Sequence, residues 1–235
     1  VSSIGTDETS TVGDTVTISF SADEAIQTPT VAVMLGSASA TGSVALANTS
    51  GNDWTATFTL ASGDTENVVA FTIDFSDTAG NAGGQATSTT DSSSVTFDKT
   101  PPTLSSVSVY SDNVAMIGSV GETVILSFTA DETILPPTVG FTAGGVSPAG
   151  TITVTNTSGD NWTAAFTLTL GDKAGALGFT IDFADMAGNP GTQVSSTTDS
   201  TSVAVPSIMF WGMAFLAAIF ALLIAQRLRR GVMKR

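Results

Sequence analysis

The chain has 235 residues, room for one large domain or two of about 100 residues each, and only 12% of them are charged. It contains no Cys and no His, which removes thiol nucleophiles, disulfides, imidazole bases and the common zinc and copper ligand sets. The net charge of −14 is unevenly placed: 21 acids against Lys99 and Lys173 leave −19 over residues 1–205, and the tail after Gln226 carries +5.

In chain order, the first signal is alternation. Val16, Ile18 and Phe20 are interleaved with Thr and Ser, the period of a strand with one buried face. The loop Asp23-Glu24 and the turn cluster Asn48-Thr49-Ser50-Gly51 precede a second alternating run, Trp54, Ala56, Phe58 and Leu60. A third follows in FTIDFSDTAGN, where Phe71, Ile73 and Phe75 share the inner face and Asp74 the outer. Asp77 and Asn81 then stand where a strand ends, residue types that cap turns by bonding backbone N–H groups, with Gly80 as a permissive hinge.

Asp98-Lys99-Thr100-Pro101-Pro102 breaks the pattern. Two prolines predict a short, stiff, extended joint that sets flanking domains end to end. Beyond it the sequence starts over. Setting residue n against n + 108 from Val12 to Val95 gives 46 identities in 84 positions without a gap. Asp131-Glu132 answers Asp23-Glu24, Trp162 answers Trp54, and FTIDFADMAGN with Asp182 and Asp185 answers FTIDFSDTAGN. Two copies of one domain follow. Each holds about seven short strands separated by turn clusters, which suits an immunoglobulin-like sandwich, with a Greek-key barrel as the alternative. LSSVSVY at Leu104–Tyr110 reads as a first strand whose counterpart in the first copy falls mostly before Val1, so the first copy is expected to lack it. Missing or processed residues, or a neighbouring chain, would complete that edge.

Ile208–Ala225 is eighteen residues without a charge, about 27–30 Å as a helix and enough to cross a bilayer. Ala214, Ala217, Ala218, Ala221 and Ala225 form a small-residue stripe along it, fit for close helix packing in lipid and equally a consequence of common membrane composition. Arg227, Arg229, Arg230, Lys234 and Arg235 follow and place the C-terminus in the cytoplasm by the positive-inside rule. A start at Val1 points to a removed signal or a trimmed chain. The expected class is all-β: two tandem immunoglobulin-like β-sandwiches followed by one C-terminal transmembrane α-helix. The segments are sandwich one at 1–98, a Pro-rich linker at 99–103, sandwich two at 104–205, the membrane helix at 206–226 and a basic tail at 227–235.

The blocks VGDTVTISFSADEAIQTPTV, NTSGNDWTATFTL, FTIDFSDTAGN and SSSVTFDKTPPTL, in that order, closely resemble the tandem bacterial Ig-like repeats of surface and adhesin proteins. The resemblance covers nearly all of residues 1–205. It implies a β-sandwich that acts as spacer or binding module, in some relatives with calcium at domain junctions, and no enzyme. Val205-Pro206-Ser207-Ile208, Trp211-Gly212-Met213 and Arg227–Arg230 are similar to IPTL-type bacterial sorting tails, which a membrane protease can cut. The start VPSI and Phe210 depart from that pattern, and the tail is read as a retained anchor.

Calcium is the candidate ion, since it takes about six to eight oxygen ligands. Its candidate ligands are Asp77 and Asp185 in the repeated turns, and Asp98 with Asp23, Glu24, Asp131 and Glu132 should those loops converge near the linker. The spacing matches no EF-hand. Turn capping explains the same residues without an ion. Paired-carboxylate catalysis is set aside because two copies of one catalytic site, without a signalled cleft, are implausible. Trp54 and Trp162 read as core or rim residues, and the sequons at Asn48, Asn156 and Asn161 matter only in a glycosylating host. Nucleic acid is not an expected partner of so acidic a region.

The expected function is a non-enzymatic, single-pass protein of the bacterial cytoplasmic membrane, with its Ig-like domains periplasmic or extracellular. It works through protein–protein contact as an accessory subunit of a larger membrane complex. The alternative is a free-standing surface adhesion or spacer protein, rigidified by calcium. The expected partners are other membrane-protein subunits or surface proteins.

Overall fold

The computed structural model describes residues 2–4, 8–112 and 118–206. The first repeat forms β1 (Ser2–Ile4), β2 (Glu8–Ser10), β3 (Thr15–Ser21), β4 (Thr30–Leu35), β5 (Ala38–Ser39), β6 (Ala45–Ser50), β7 (Asp53–Thr59), β8 (Asn67–Asp74) and β9 (Val95–Phe97). The second forms β10 (Leu104–Ser111), β11 (Thr123–Ala130), β12 (Thr138–Ala143), β13 (Thr153–Ser158), β14 (Asn161–Thr167), β15 (Gly175–Asp182) and β16 (Ala204–Val205). These strands make two compact units. Among the described residues, one takes in those up to Pro102 together with Thr133–Leu135 and Phe183–Thr192, and the other takes in those from Thr103 to Glu132, Pro136–Asp182 and those from Gln193 to Pro206.

In the first unit, one sheet runs β1-β3-β7-β6 and the other β2-β9-β8-β4-β5, with β2 parallel to β9 and the remaining pairs antiparallel. Two open sheets in this order make an immunoglobulin-like sandwich; the closed Greek-key barrel is not what forms. The alternating residues do as their period dictates. Val16, Ile18, Phe20, Ala56 and Phe58 from one sheet meet Val33, Leu35, Phe71, Ile73 and Phe97 from the other in a single core. On the outer face, Thr15, Thr17 and Ser19 of β3 stand opposite Thr59, Thr57 and Thr55 of β7. These cross-strand pairs of β-branched and hydroxyl side chains stabilise a solvated sheet face.

The second unit repeats the plan with sheets β10-β11-β14-β13 and β12-β15-β16. Phe141 on one sheet and Phe166 on the other have ring centroids 4.8 Å apart at an interplanar angle of 46°, a tilted aromatic pair that ties the two layers together. Trp162 is buried and Trp54 packs against the first core. Both indole Nε1 groups are buried without a hydrogen-bond partner.

The expectation of a missing first strand is corrected. β1 pairs with β3 in the register Ser2↔Phe20, Ser3↔Ser19 and Ile4↔Ile18. In the second repeat the equivalent Phe128 faces Val107 and Tyr110 faces Ile125. Residues 2–4 therefore fill the slot of residues 107–109, three places out of step with the repeat, and β2 continues on the opposite sheet.

Among the described residues no helix is long and apolar enough to cross a membrane. The expected helix at 206–226, its stripe from Ala214 to Ala225 and the basic residues from Arg227 to Arg235 lie outside the described residues, apart from Pro206.

Candidate functional site

The repeated acidic turn is built outward from the core. Phe71 and Ile73 are buried, while Asp74 emerges on the outer face and accepts from Gln85 Nε2 at 2.8 Å. Asp182 does the same with Gln193 at 2.7 Å. Past the strand, Asp77 N donates to Asn81 O at 3.0 Å and Gly80 N to Asp77 O at 3.1 Å. The carboxylate closes the loop from the other side: Oδ1 accepts from Asn81 N at 2.8 Å and Oδ2 from Asn81 Nδ2 at 2.7 Å. Gly80 sits at φ 94°, a region that L side chains rarely enter. The Asn81 amide and backbone N–H hold the Asp77 carboxyl below its ordinary range.

The second copy has the same bonds. Asp185 Oδ1 accepts from Asn189 N at 2.9 Å and Oδ2 from Asn189 Nδ2 at 2.7 Å. Its surroundings differ. Within the first unit, Asn189 Nδ2 also donates to Asp98 O at 3.1 Å, and the Thr11 hydroxyl donates to Asn189 Oδ1. Carboxylate oxygens of Asp98 and Asp185 lie within 4.8 Å of each other. Asp98 Oδ1 already accepts from Thr100 N at 3.0 Å.

Asp131 accepts from Thr103 N and Thr103 Oγ1, both at 2.7 Å, and those bonds lower its pKa. Asp23 and Glu24 are exposed and line a shallow depression with Ile26, Phe75, Asp77 and Asn81. Glu132 is half-buried directly before Thr133.

Three acids that the sequence did not single out also hold backbone N–H groups. Asp64 is only 3% exposed and accepts from Thr41 N at 2.7 Å and Ala61 N at 2.8 Å. Burial pushes its carboxyl up, but those two N–H groups, the Thr41 hydroxyl and the nearby Lys99 charge together bring it below the usual range. Asp172, its repeat partner, accepts from Ala149 N at 2.8 Å and Thr169 N at 2.7 Å, and it too is lowered against the effect of burial. Glu66 Oε1 takes Thr100 Oγ1 at 2.6 Å and Lys99 N at 2.8 Å, and Lys99 Nζ reaches the carbonyls of Ser62 and Asp64. The joint is thus fastened at Lys99 and Thr100 on one side and at Thr103 on the other, leaving Pro101-Pro102 between. The signal was present in the repeat, since Gly63-Asp64 and Gly171-Asp172 are identical pairs in otherwise divergent turns.

No protein-family model matches the chain, and no curated protein matches it. Among solved structures, it is similar to an I-band fragment of titin, domains I67–I69, at 13% identity and a TM-score of 0.43, covering 87% of this chain and 65% of that one. It is also similar to the D00–D0 domain of intimin, at 13% identity and a TM-score of 0.32 over 88% of this chain and 100% of that one. The titin tandem A164–A165 gives 14% identity and 0.27 over 87% and 96%. The chain spans about two thirds of the I67–I69 fragment's length. The immunoglobulin-like assignment rests on the strand order and core described above.

Proposed function

We propose that the chain is a non-enzymatic spacer and contact protein, two Ig-like sandwiches displayed outside a bacterial cytoplasmic membrane and anchored by the 206–226 segment. One observation carries this reading: the acids repeated at the turns after Leu60 and Phe75 are engaged in holding those turns. Asp77 and Asp185 each spend both carboxylate oxygens on the Asn four residues on, and Asp64 and Asp172 on backbone N–H groups, in the same way in both copies. Acid–base catalysis needs carboxylates free to meet a substrate proton, and these are committed to the fold. The −19 of residues 1–205 favours a partner surface that is basic or carries bound cations.

A second reading, an accessory subunit of a larger membrane complex, is supported by the absence of a stalk in the sequence. β16 ends at Val205, and Ile208 opens the apolar run. The test is extraction from the native membrane in mild detergent, followed by size measurement and identification of bound proteins. The spacer reading expects a monodisperse particle of this protein alone. Stoichiometric co-purification with other membrane subunits would overturn it in favour of the accessory role.

A further inference from the structure

The two copies of the capped turn share their residues but not their burial. Ile26, Phe75 and Asp77 are half-buried and Asn81 is exposed, while the identical residues Ile134, Phe183, Asp185 and Asn189 are 4%, 7%, 1% and 7% exposed. All four positions match, although flanking ones differ, as Thr78 from Met186 and Ala82 from Pro190. The surroundings differ as well. Phe183–Thr192 belongs to the first compact unit, where the Thr11 hydroxyl and the Asp98 carbonyl satisfy both ends of the Asn189 amide. The turn at Asp77–Asn81 presents the same apolar pair and the same amide to solvent.

We propose that this open turn is a docking face for the carboxyl end of another domain of the same repeat type, joined ahead of it in the same chain. The occupant has to offer what the first repeat offers at its own end. That is a last strand closing as Val95-Thr96-Phe97-Asp98, whose final carbonyl accepts from Asn81 Nδ2, and a hydroxyl placed like that of Thr11 to donate to Asn81 Oδ1. It also covers Ile26 and Phe75, removing apolar area from water. Attachment in cis is favoured because a joint as short as Lys99–Pro102 holds such an end at high effective concentration. A second copy of this chain is a poorer donor. Its remaining repeat end still offers a carbonyl at Pro206 and a hydroxyl at Ser119, but it leads at once into the apolar segment, which leaves no free end to dock.

Because Ser2 fills the slot of Val107, residues 1–105 fused ahead of Val1 of the full chain give the added repeat a joint of the native length. A Thr78→Ser mark in the added copy makes its turn distinguishable by mass. Hydrogen exchange of the turn at 75–84 is then compared with that at 183–192. In the unextended chain the first should exchange faster by about tenfold or more, and in the extended chain it should slow to match the second. Thr11→Val in the added copy should return part of the fast exchange without changing the rate at 183–192. Unchanged exchange at 75–84 in the extended chain would overturn the proposal. So would protection of that turn in the unextended chain that grows with protein concentration, since the occupant would then be a second copy.

Discussion

Asp64→Ala offers the sharpest test of acids as scaffold. The carboxylate is nearly inaccessible and accepts two backbone N–H groups, one from its own turn at Ala61 and one from the neighbouring loop at Thr41. Hydrogen bonds to a charged group contribute about 1.5–3 kcal/mol each, and they are not fully additive because both end on one carboxylate. Removal is therefore expected to cost about 3 kcal/mol. For a domain of about 100 residues that corresponds to a fall in Tm of roughly 12–24 °C. Asp172→Ala supplies the internal comparison: the same two kinds of bond are lost, but the side chain is less deeply buried, so the fall should be smaller. Thermal unfolding of the full chain in mild detergent, followed by circular dichroism, reads both. A shift of less than about 2 °C for Asp64→Ala would refute the reasoning.

Stability should also depend on pH in a defined direction. The carboxyls of Asp64, Glu66, Asp77, Asp91, Asp131, Asp172 and Asp199 all lie below their ordinary values. Their contribution is complete above the unfolded carboxylate range and is lost as pH falls below about 4 through the folded values. Melting at pH 7 and pH 3 checks it, and a protein as stable at pH 3 would contradict it. Trp162→Phe should change stability by less than about 1 kcal/mol, because the lost indole N–H has no partner and its removal offsets part of the cavity left behind. Trp162→Ala should cost about 3–5 kcal/mol, and urea unfolding of the two variants separates them.

The fold was legible wherever one face of a strand is apolar. Phe71, Ile73 and Phe75 announce an inner face by their period alone, and Asp77, Gly80 and Asn81 announce a turn by their chemistry. The choice of sandwich over barrel rested on strand count, turn clusters and family resemblance, because the period alone is the same when both folds bury one face of each strand. Ser2–Ile4 carries too few residues for a period, and its register is set by the empty place beside β3. Asp64 reads as one more turn residue until the loop at Thr41 closes over it. The bond from Asn189 to Asp98 joins groups 91 positions apart, and nothing local marks either of them for the other.

The central claim is that the repeated acids hold the protein's own backbone. Melting of Asp185→Ala against the parent chain, in EDTA and again in millimolar calcium, tests it most directly. Asp185 gives both oxygens to Asn189, so the substitution should lower Tm by about 10 °C, and by the same amount in both buffers. A loss seen only in calcium, with the parent chain melting several degrees higher there than in EDTA, would show that the carboxylate serves an ion and contradict the account.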